Sequence, residues 1–170
     1  MPTPKLFDFG TDVSPLPVLQ AGFVAKGLKT WDTMDGGGYQ FNLYFQNAKV
    51  AQVTQGGRGG DTNLCWDFSA KGARAKKVEA AKAKLSEIAA ATDPVPFNDS
   101  TLDVDEEWLM EALMEGSPLA TKCKKFVVFQ GAQDEAGSYR TLKCAYDDGA
   151  KAFLAKKYPD AAILNDILAS

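Results

Sequence analysis

Residues 39–68 read YQFNLYFQNAKVAQVTQGGRGGDTNLCWDF, and three strands are recognisable within them. Apolar and polar side chains alternate over residues 39–45, which is the period of a strand that buries one face. Residues 47–49 form a short hairpin connection, and a second strand returns over residues 50–55. After a glycine-rich turn, Leu64, Trp66 and Phe68 alternate with polar residues in a third strand. Strands joined by such short turns pair antiparallel.

A further strand is predicted on the amino-terminal side, over residues 18–31, with a bulge at Gly22 or Gly27. The turn signal DGGG at residues 35–38 connects it to the next strand, so four strands form an antiparallel β-meander. Residues 1–17 contain four prolines and are expected to form an extended arm. The side chains expected to hold this arm to the core are Leu6, Phe7 and Phe9.

The second half of the chain has helical patterning. A helix is predicted over residues 69–91, and its apolar side chains, spaced to lie on one face, should cover the apolar face of the meander. These side chains are Val78, Ala81, Leu85 and Ile88. A second helix should begin with Asp103 as its cap and Glu106 three residues later, and should end at Gly116 and Pro118.

The residue pattern in the last third of the chain predicts a smaller C-terminal β-β-α portion, which could be a sub-module starting at about residue 122. Strands are expected over residues 125–130 and 138–146, followed by a helix over 148–158. Residues 161–164 fit either a terminal strand or a short helix. The sequence as a whole predicts a single α+β domain over residues 1–170, an antiparallel β-meander packed against helices.

The chain of 170 residues has a net charge of −3 and contains no histidine. Ser-His-Asp triads, Cys-His dyads and zinc sites with histidine ligands are therefore excluded. A binding protein is favoured over an enzyme, and no catalytic residue, metal site or cofactor is predicted. The small negative charge provides no global field that would attract nucleic acid or an anionic membrane.

The cysteines indicate a reducing compartment. Cys65, Cys123 and Cys144 are scattered, which favours free thiols, although a Cys123–Cys144 bridge stays open. The amino terminus has no signal-peptide pattern, and no apolar run is long enough for a transmembrane helix. We therefore expect a cytoplasmic protein with no membrane partner.

The glycine-rich turn at residues 56–60 is the strongest candidate for a binding site. It contains more glycines than a hairpin needs, and glycine lets backbone N–H groups converge on an anion, which an arginine could then clamp. Hydrogen-bonding side chains follow the turn, and Lys49 is expected to lie near it. A flexible turn with a solvated arginine is the alternative. The predicted ligand-binding residues are Lys49, Gly56, Gly57, Arg58, Gly59, Gly60, Asp61, Thr62 and Asn63.

Three other surfaces offer alternative functions. A basic stripe could bind nucleic acid or could be a solvated helix face. It consists of Lys71, Arg74, Lys76, Lys77, Lys82 and Lys84. An acid-rimmed patch of Trp108, Met110 and Met114 would suit a protein interface if it were exposed. Asp61 and Asp67 could serve a metal-dependent nuclease or phosphodiesterase.

Part of the chain resembles a group of small uncharacterised bacteriophage proteins. The resemblance is carried by Tyr39, Phe41 and Leu43, by the run AKVA at residues 48–51, by Val53, by the glycines of residues 56–60, and by Trp66. A second similar stretch is KKYPDAAILND at residues 156–166. The resemblance implies a phage or prophage origin, and by analogy a host-interaction or counter-defence role.

These observations together predict a non-enzymatic binding protein. It would recognise a nucleotide-like or phosphate-bearing small molecule, or a host protein, through the glycine-rich turn. Nucleic acid remains a possible partner. An exposed outer strand of the meander could also pair with a second copy to give a homodimer.

Overall fold

The computed structural model describes residues 6–170. Its main feature is a four-stranded antiparallel sheet in the order β1-β2-β3-β4, which confirms the predicted meander and the α+β class. The strands are β1 (Phe23–Thr33), β2 (Gly36–Phe45), β3 (Ala48–Gln55) and β4 (Asn63–Trp66). Tyr39, Phe41, Leu43 and Phe45 of β2 are all buried, as their alternation with polar residues predicts.

The bulge predicted in β1 lies at Gly27. The pairing register with β2 shifts between Lys26 and Lys29, and Gly27 has a φ of +66°, which glycine adopts at little cost. Gly22, the other candidate, precedes the strand.

The amino-terminal segment differs from the predicted extended arm. Helix α1 (Leu16–Gln20) begins directly after Pro15, so Val18 belongs to a helix and not to the first strand. A proline in the first turn explains the error, because its fixed φ suits a helix start as well as an extended chain. Phe7 is buried as expected, but Leu6 is 82% exposed and does not contact the core. Residues 1–5 of the predicted arm lie outside the described part of the chain.

Helix α2 (Ala73–Ala91) buries the four predicted side chains against the sheet. It begins four residues later than predicted. The Asp67 carboxylate accepts hydrogen bonds from the Ser69 N–H at 3.1 Å and the Ser69 hydroxyl at 2.6 Å. Gly72 then has a φ of +61°, so the chain cannot be helical before Ala73. A short hairpin that was not predicted, β5 (Val95–Phe97) and β6 (Ser100–Leu102), follows the helix.

Helix α3 (Glu106–Cys123) corrects two predictions. Its cap is Asp105 and not Asp103, since the Asp105 carboxylate accepts hydrogen bonds from the backbone N–H groups of Glu107 and Trp108. The helix also continues through Gly116 and Pro118. A Cβ at Gly116 would lie 2.6 Å from the Pro15 ring, so this glycine allows α1 to pack closely and does not end the helix. Packing here outweighs the helix-breaking tendency of proline.

The C-terminal portion forms its own small sheet in the order β8-β7-β9. Its elements are β7 (Val127–Gln130), β8 (Arg140–Leu142), α4 (Asp148–Lys157), β9 (Ala162–Ile163) and α5 (Leu164–Ala169). The strand predicted over 138–146 is only three residues long, and residues 161–164 contribute to both a strand and a helix. Gln130 ties this portion to the chain start, because its side-chain oxygen accepts from Asp8 N–H at 2.8 Å. No helix of residues 6–170 is long and apolar enough to cross a membrane.

Candidate functional site

The glycine-rich turn packs directly on the start of β2. Gly57 has a φ of +77°, and a Cβ there would lie 2.7 Å from the backbone nitrogen of Gly38 and 3.0 Å from the carbonyl carbon of Gly37. Gly57 is buried, whereas Gly59 and Gly60 are exposed and have no atoms near a hypothetical Cβ. Part of the glycine content of this turn therefore serves close backbone packing.

Side chains from the surrounding strands fix the shape of the turn. The Gln55 side-chain oxygen accepts from Gly57 N–H at 2.8 Å, while its amide nitrogen donates to the Gly60 carbonyl. The Thr33 hydroxyl contacts the carbonyl of Gly57, and the Trp31 indole N–H donates to the Gly56 carbonyl at 3.4 Å. Because the Gly57 N–H is already bonded, it cannot join the anion nest that the sequence predicted.

Arg58 is exposed at the outer side of this fixed turn. A shallow depression of about 410 Å³ lies beside it. The residues that line the depression are Gln55, Gly56, Arg58, Gly60, Asp61 and Asn63. Arg58 is its one cation among the described residues, and Asp61 is a nearby negative charge.

Four of the nine predicted ligand-binding residues do not line this depression, namely Lys49, Gly57, Gly59 and Thr62. Lys49 lies at the opposite end of β3 from the turn, and its strand separates the two by about 23 Å at 3.3 Å per residue. Thr62 is buried: its hydroxyl forms a hydrogen bond of 3.0 Å with the Tyr39 hydroxyl, and its N–H donates to a Glu107 carboxylate oxygen at 3.2 Å. Thr62 thus fastens the turn to β2 and to α3. Burial raises the pKa of Tyr39 to about 12, so this phenol stays protonated at neutral pH.

A larger cleft of about 600 Å³ opens on the other side of the turn, which contributes Gly57 and Gly59. The end of the β1–β2 hairpin contributes Trp31, and α3 contributes Trp108. Carboxylates from three separate segments also line the cleft, namely Asp12, Asp32, Asp35, Glu111 and Glu115. Among residues 6–170, no lysine or arginine lines it.

The carboxyl group of Glu111 has a raised pKa. Partial burial raises the pKa of its carboxyl group above the ordinary value of 4.5, and the neighbouring carboxylates of Glu107 and Asp105 raise it further. Both causes disfavour the charged form of Glu111.

The cleft was not predicted from the sequence. The pair Trp31-Asp32, two residues before the DGGG turn, is a usable signal, because a tryptophan near the end of an outer strand has little core to pack against. The contribution of Glu111 depends on how α3 approaches the sheet, which no local pattern encodes.

The predicted protein-interface patch is only partly present. Met110 is fully buried in the main core and cannot contact a partner. Trp108 and Met114 are half-buried and line the cleft. Residues 108 and 110 are separated by about 200° around a helix, which explains why they face different environments.

The predicted nucleic-acid surface is largely engaged within the protein. Arg74 pairs with Asp67, and the Lys77 ammonium donates to the Gln46 carbonyl at 2.9 Å. Lys82 and Lys84 pair with glutamates three residues away on the same helix, each at 2.8 Å. The other two residues of the basic stripe, Lys71 and Lys76, are exposed. This arrangement favours the solvated helix face over a surface for a phosphate backbone.

The two carboxylates considered for metal-dependent catalysis lie at opposite ends of β4, whose four residues span about 13 Å. Asp67 is hydrogen-bonded to Ser69 and paired with Arg74, and these contacts lower its pKa. Within residues 6–170, no group of three or more Cys, Asp or Glu side chains is arranged to hold a metal ion. The three cysteines are free thiols, without a Cys123–Cys144 bridge.

The outer strands β1 and β4 are where a homodimer would pair. The Ala25 N–H donates to the Ser117 hydroxyl oxygen of α3 at 3.2 Å, so α3 covers the first part of the β1 edge. A dimer through β1 would use residues 29–33, and it stays a prediction.

Comparisons of the chain with protein-family models, with curated proteins and with solved structures found no match.

Proposed function

We propose that this chain is a non-enzymatic, phage-type binding protein that recognises a host protein in the cytoplasm, in a host-interaction or counter-defence role. The contacts would come from the glycine-rich turn and the adjoining tip of the β1–β2 hairpin. The observation that carries this proposal is the fixed shape of the turn. Gln55, Thr33 and Trp31 hold it in place before any partner arrives. A preformed surface avoids the entropy cost of ordering a loop on binding.

Exposed side chains at this end of the sheet suit a protein partner. Met34, at the hairpin tip, is fully exposed to solvent, and Arg58 projects from the turn. Methionine and arginine are both enriched in protein interfaces, where methionine adapts to irregular surfaces. The phage origin rests on the sequence resemblance alone, and with it the identification of the partner as a host component.

A capture experiment tests this proposal. The double variant Met34→Ser/Arg58→Ala removes one apolar side chain and one cation from the proposed surface. The matched control, Phe153→Ser/Lys156→Ala, makes the same kind of change on α4, where Phe153 is 44% exposed. Immobilised wild type and both variants are incubated with host-cell lysate, and bound proteins are quantified by mass spectrometry.

We expect a specific protein to bind wild type and control equally and to fall by at least about tenfold on the double variant, as for interface residues that contribute strongly to binding. Equal recovery of the same proteins on all three would contradict a role for this surface.

A nucleotide-like or phosphate-bearing ligand is the second candidate, because the depression beside Arg58 has hydrogen-bonding groups and a cation. Native mass spectrometry of freshly purified protein should then reveal an added small mass that is lost on denaturation and reduced in Arg58→Ala. The carboxylates around the turn, and the position of Lys49 far from it, make this function less well supported than a protein partner.

A further inference from the structure

The cleft beside the glycine-rich turn has the size of a ligand site. Its volume of about 600 Å³ falls within the range of small-molecule pockets. It is formed by residues far apart in sequence, from the segment 10–13 through the β1–β2 hairpin to α3. One wall is fixed, because the Trp31 indole lies against the backbone of Gly38 and donates to the Gly56 carbonyl.

The charge of the cleft defines which ligand it would accept. Five carboxylates line it, those of Asp12, Asp32, Asp35, Glu111 and Glu115. The ion pairs found within residues 6–170 are made by other carboxylates, those of Asp67, Glu79, Glu87 and Asp134. A cleft lined by one sign of charge focuses its field and concentrates counter-ions. An anionic group would be repelled there.

The aromatic side chains of the cleft further restrict the class of ligand that it would bind. Trp31 and Trp108 both line the cleft, and tryptophan is the side chain whose ring face best attracts a cation. Met114 and Ala112 add apolar surface suited to an aliphatic chain. Carboxylates together with indole rings therefore suit a cationic group attached to a short hydrocarbon chain. An inorganic cation would make no favourable contact with the apolar side chains of the cleft.

We infer that this cleft binds an alkyl guanidinium or alkyl ammonium group, supplied by an arginine or lysine side chain of the partner. The inference deepens the proposed function, on which the assignment of the group to a protein partner rests. A free polyamine carries the same chemistry, and the experiment separates the two sources.

The test is an NMR titration that follows the indole N–H signals of the three tryptophans. The probes are N-acetyl-arginine N-methylamide and its neutral isostere with citrulline in place of arginine. We expect the arginine probe to shift the signals of Trp31 and Trp108 with a dissociation constant on the order of 1 mM. Trp66 lies on β4, outside the cleft, and serves as an internal reference. No shift with the arginine probe, or equal shifts with citrulline, would overturn the inference.

Two double variants test whether the carboxylates of the cleft, and not only the net charge of the protein, determine binding of the arginine probe. Asp32→Asn/Glu111→Gln removes two charges from the cleft and should weaken binding of the arginine probe by roughly 3- to 10-fold. Asp93→Asn/Asp99→Asn makes the same change in net charge at exposed positions that do not line the cleft, and should leave the affinity unchanged. Equal weakening by both pairs would mean that only net charge matters, and would refute a defined site.

Two further comparisons complete the test. One distinguishes a protein partner from a free polyamine as the source of the cation, and the other distinguishes this inference from the proposed function. Tighter binding of an arginine-containing peptide than of spermidine supports a protein partner, and the reverse order overturns that assignment in favour of a free polyamine. Arg58 and Met34 do not line the cleft, so the capture experiment is independent. Capture of a partner without cation binding contradicts this inference alone. Cation binding without capture contradicts the proposed function and the assignment of the group to a protein partner, but it leaves the cation site in the cleft standing.

Discussion

The packing of the glycine-rich turn on β2 can be tested by replacing its glycines one at a time with alanine. Gly57, Gly59 and Gly60 form a graded series. Gly57 combines a φ of +77° with close backbone neighbours, and Gly59 has a φ of +72° but open space around it. Gly60 has neither a positive φ nor a neighbour within 4 Å. The three substitutions therefore separate backbone conformation from contact.

The expected costs follow from these differences. Gly60→Ala should be neutral or stabilise by up to about 1 kcal/mol, because alanine reduces the entropy of the unfolded chain. Gly59→Ala should destabilise by about 1 kcal/mol, since the left-handed conformation costs an L-residue roughly 1–2 kcal/mol. Gly57→Ala adds an overlap with the Gly38 backbone that cannot move aside easily, for a total of about 2–4 kcal/mol.

Thermal unfolding followed by circular dichroism measures the series. A chain of this size loses about 2–4 °C in Tm for each kcal/mol, so Gly57→Ala should unfold roughly 6–12 °C below wild type, assuming about 3 kcal/mol. Gly59→Ala should lose only about 2–4 °C. If Gly57→Ala and Gly59→Ala lowered Tm equally, the turn would not rest on β2 and would not be a preformed binding surface.

Other parts of the molecule give further predictions. Met110→Ala should lower the free energy of unfolding in urea by about 2–5 kcal/mol, and a loss near zero would refute its burial. Burial raises the pKa of Cys123 to about 11, so at pH 8 its thiolate fraction is roughly a hundredfold below that of an ordinary thiol, and Ellman's reagent should modify the exposed Cys65 and Cys144 before Cys123. The raised pKa of Glu111 means that the folded state binds a proton more tightly than the unfolded state, so this residue reduces stability as pH rises. Glu111→Gln should therefore raise Tm at pH 7 but not below pH 4.5, and a constant difference would contradict the assignment. Any binding of duplex DNA by the basic stripe should show a salt slope no steeper than about −2, since two of its lysines lack a bond within the described chain.

The sheet and the buried face of α2 could be predicted because their determinants are local. Strict alternation around Phe41 and the helical spacing around Leu85 each match a single burial pattern. Helix boundaries were less predictable, because Gly116 and Pro118 have strong local tendencies that the contact with Pro15 overrides. Tertiary packing of this kind has no signature in a short window of sequence.

The candidate site was predicted only in part for the same reason. The glycine-rich turn was identifiable as an unusual run of residues. Its contacts with Thr33 and Trp31, however, come from β1, which lies some 25 residues earlier in the chain. The charge of the cleft depends on segments that meet only in the folded molecule. The prediction for Lys49 was wrong because Lys49 is close to the turn in sequence but lies at the far end of β3 from it.

The bond between the chain start and Gln130 has a consequence for how the molecule assembles during synthesis. Gln130 donates to the Asp8 carbonyl at 3.1 Å and accepts from its N–H, and 122 residues separate the two in sequence. Phe7 packs beside Val128 in the same cluster. At a translation rate of about 5–20 residues per second, the amino-terminal segment must wait roughly 6–24 s after its own synthesis before its binding site exists. The meander can pair within that interval, so Phe7 and Asp8 reach their final contacts later than strands that follow them in the sequence.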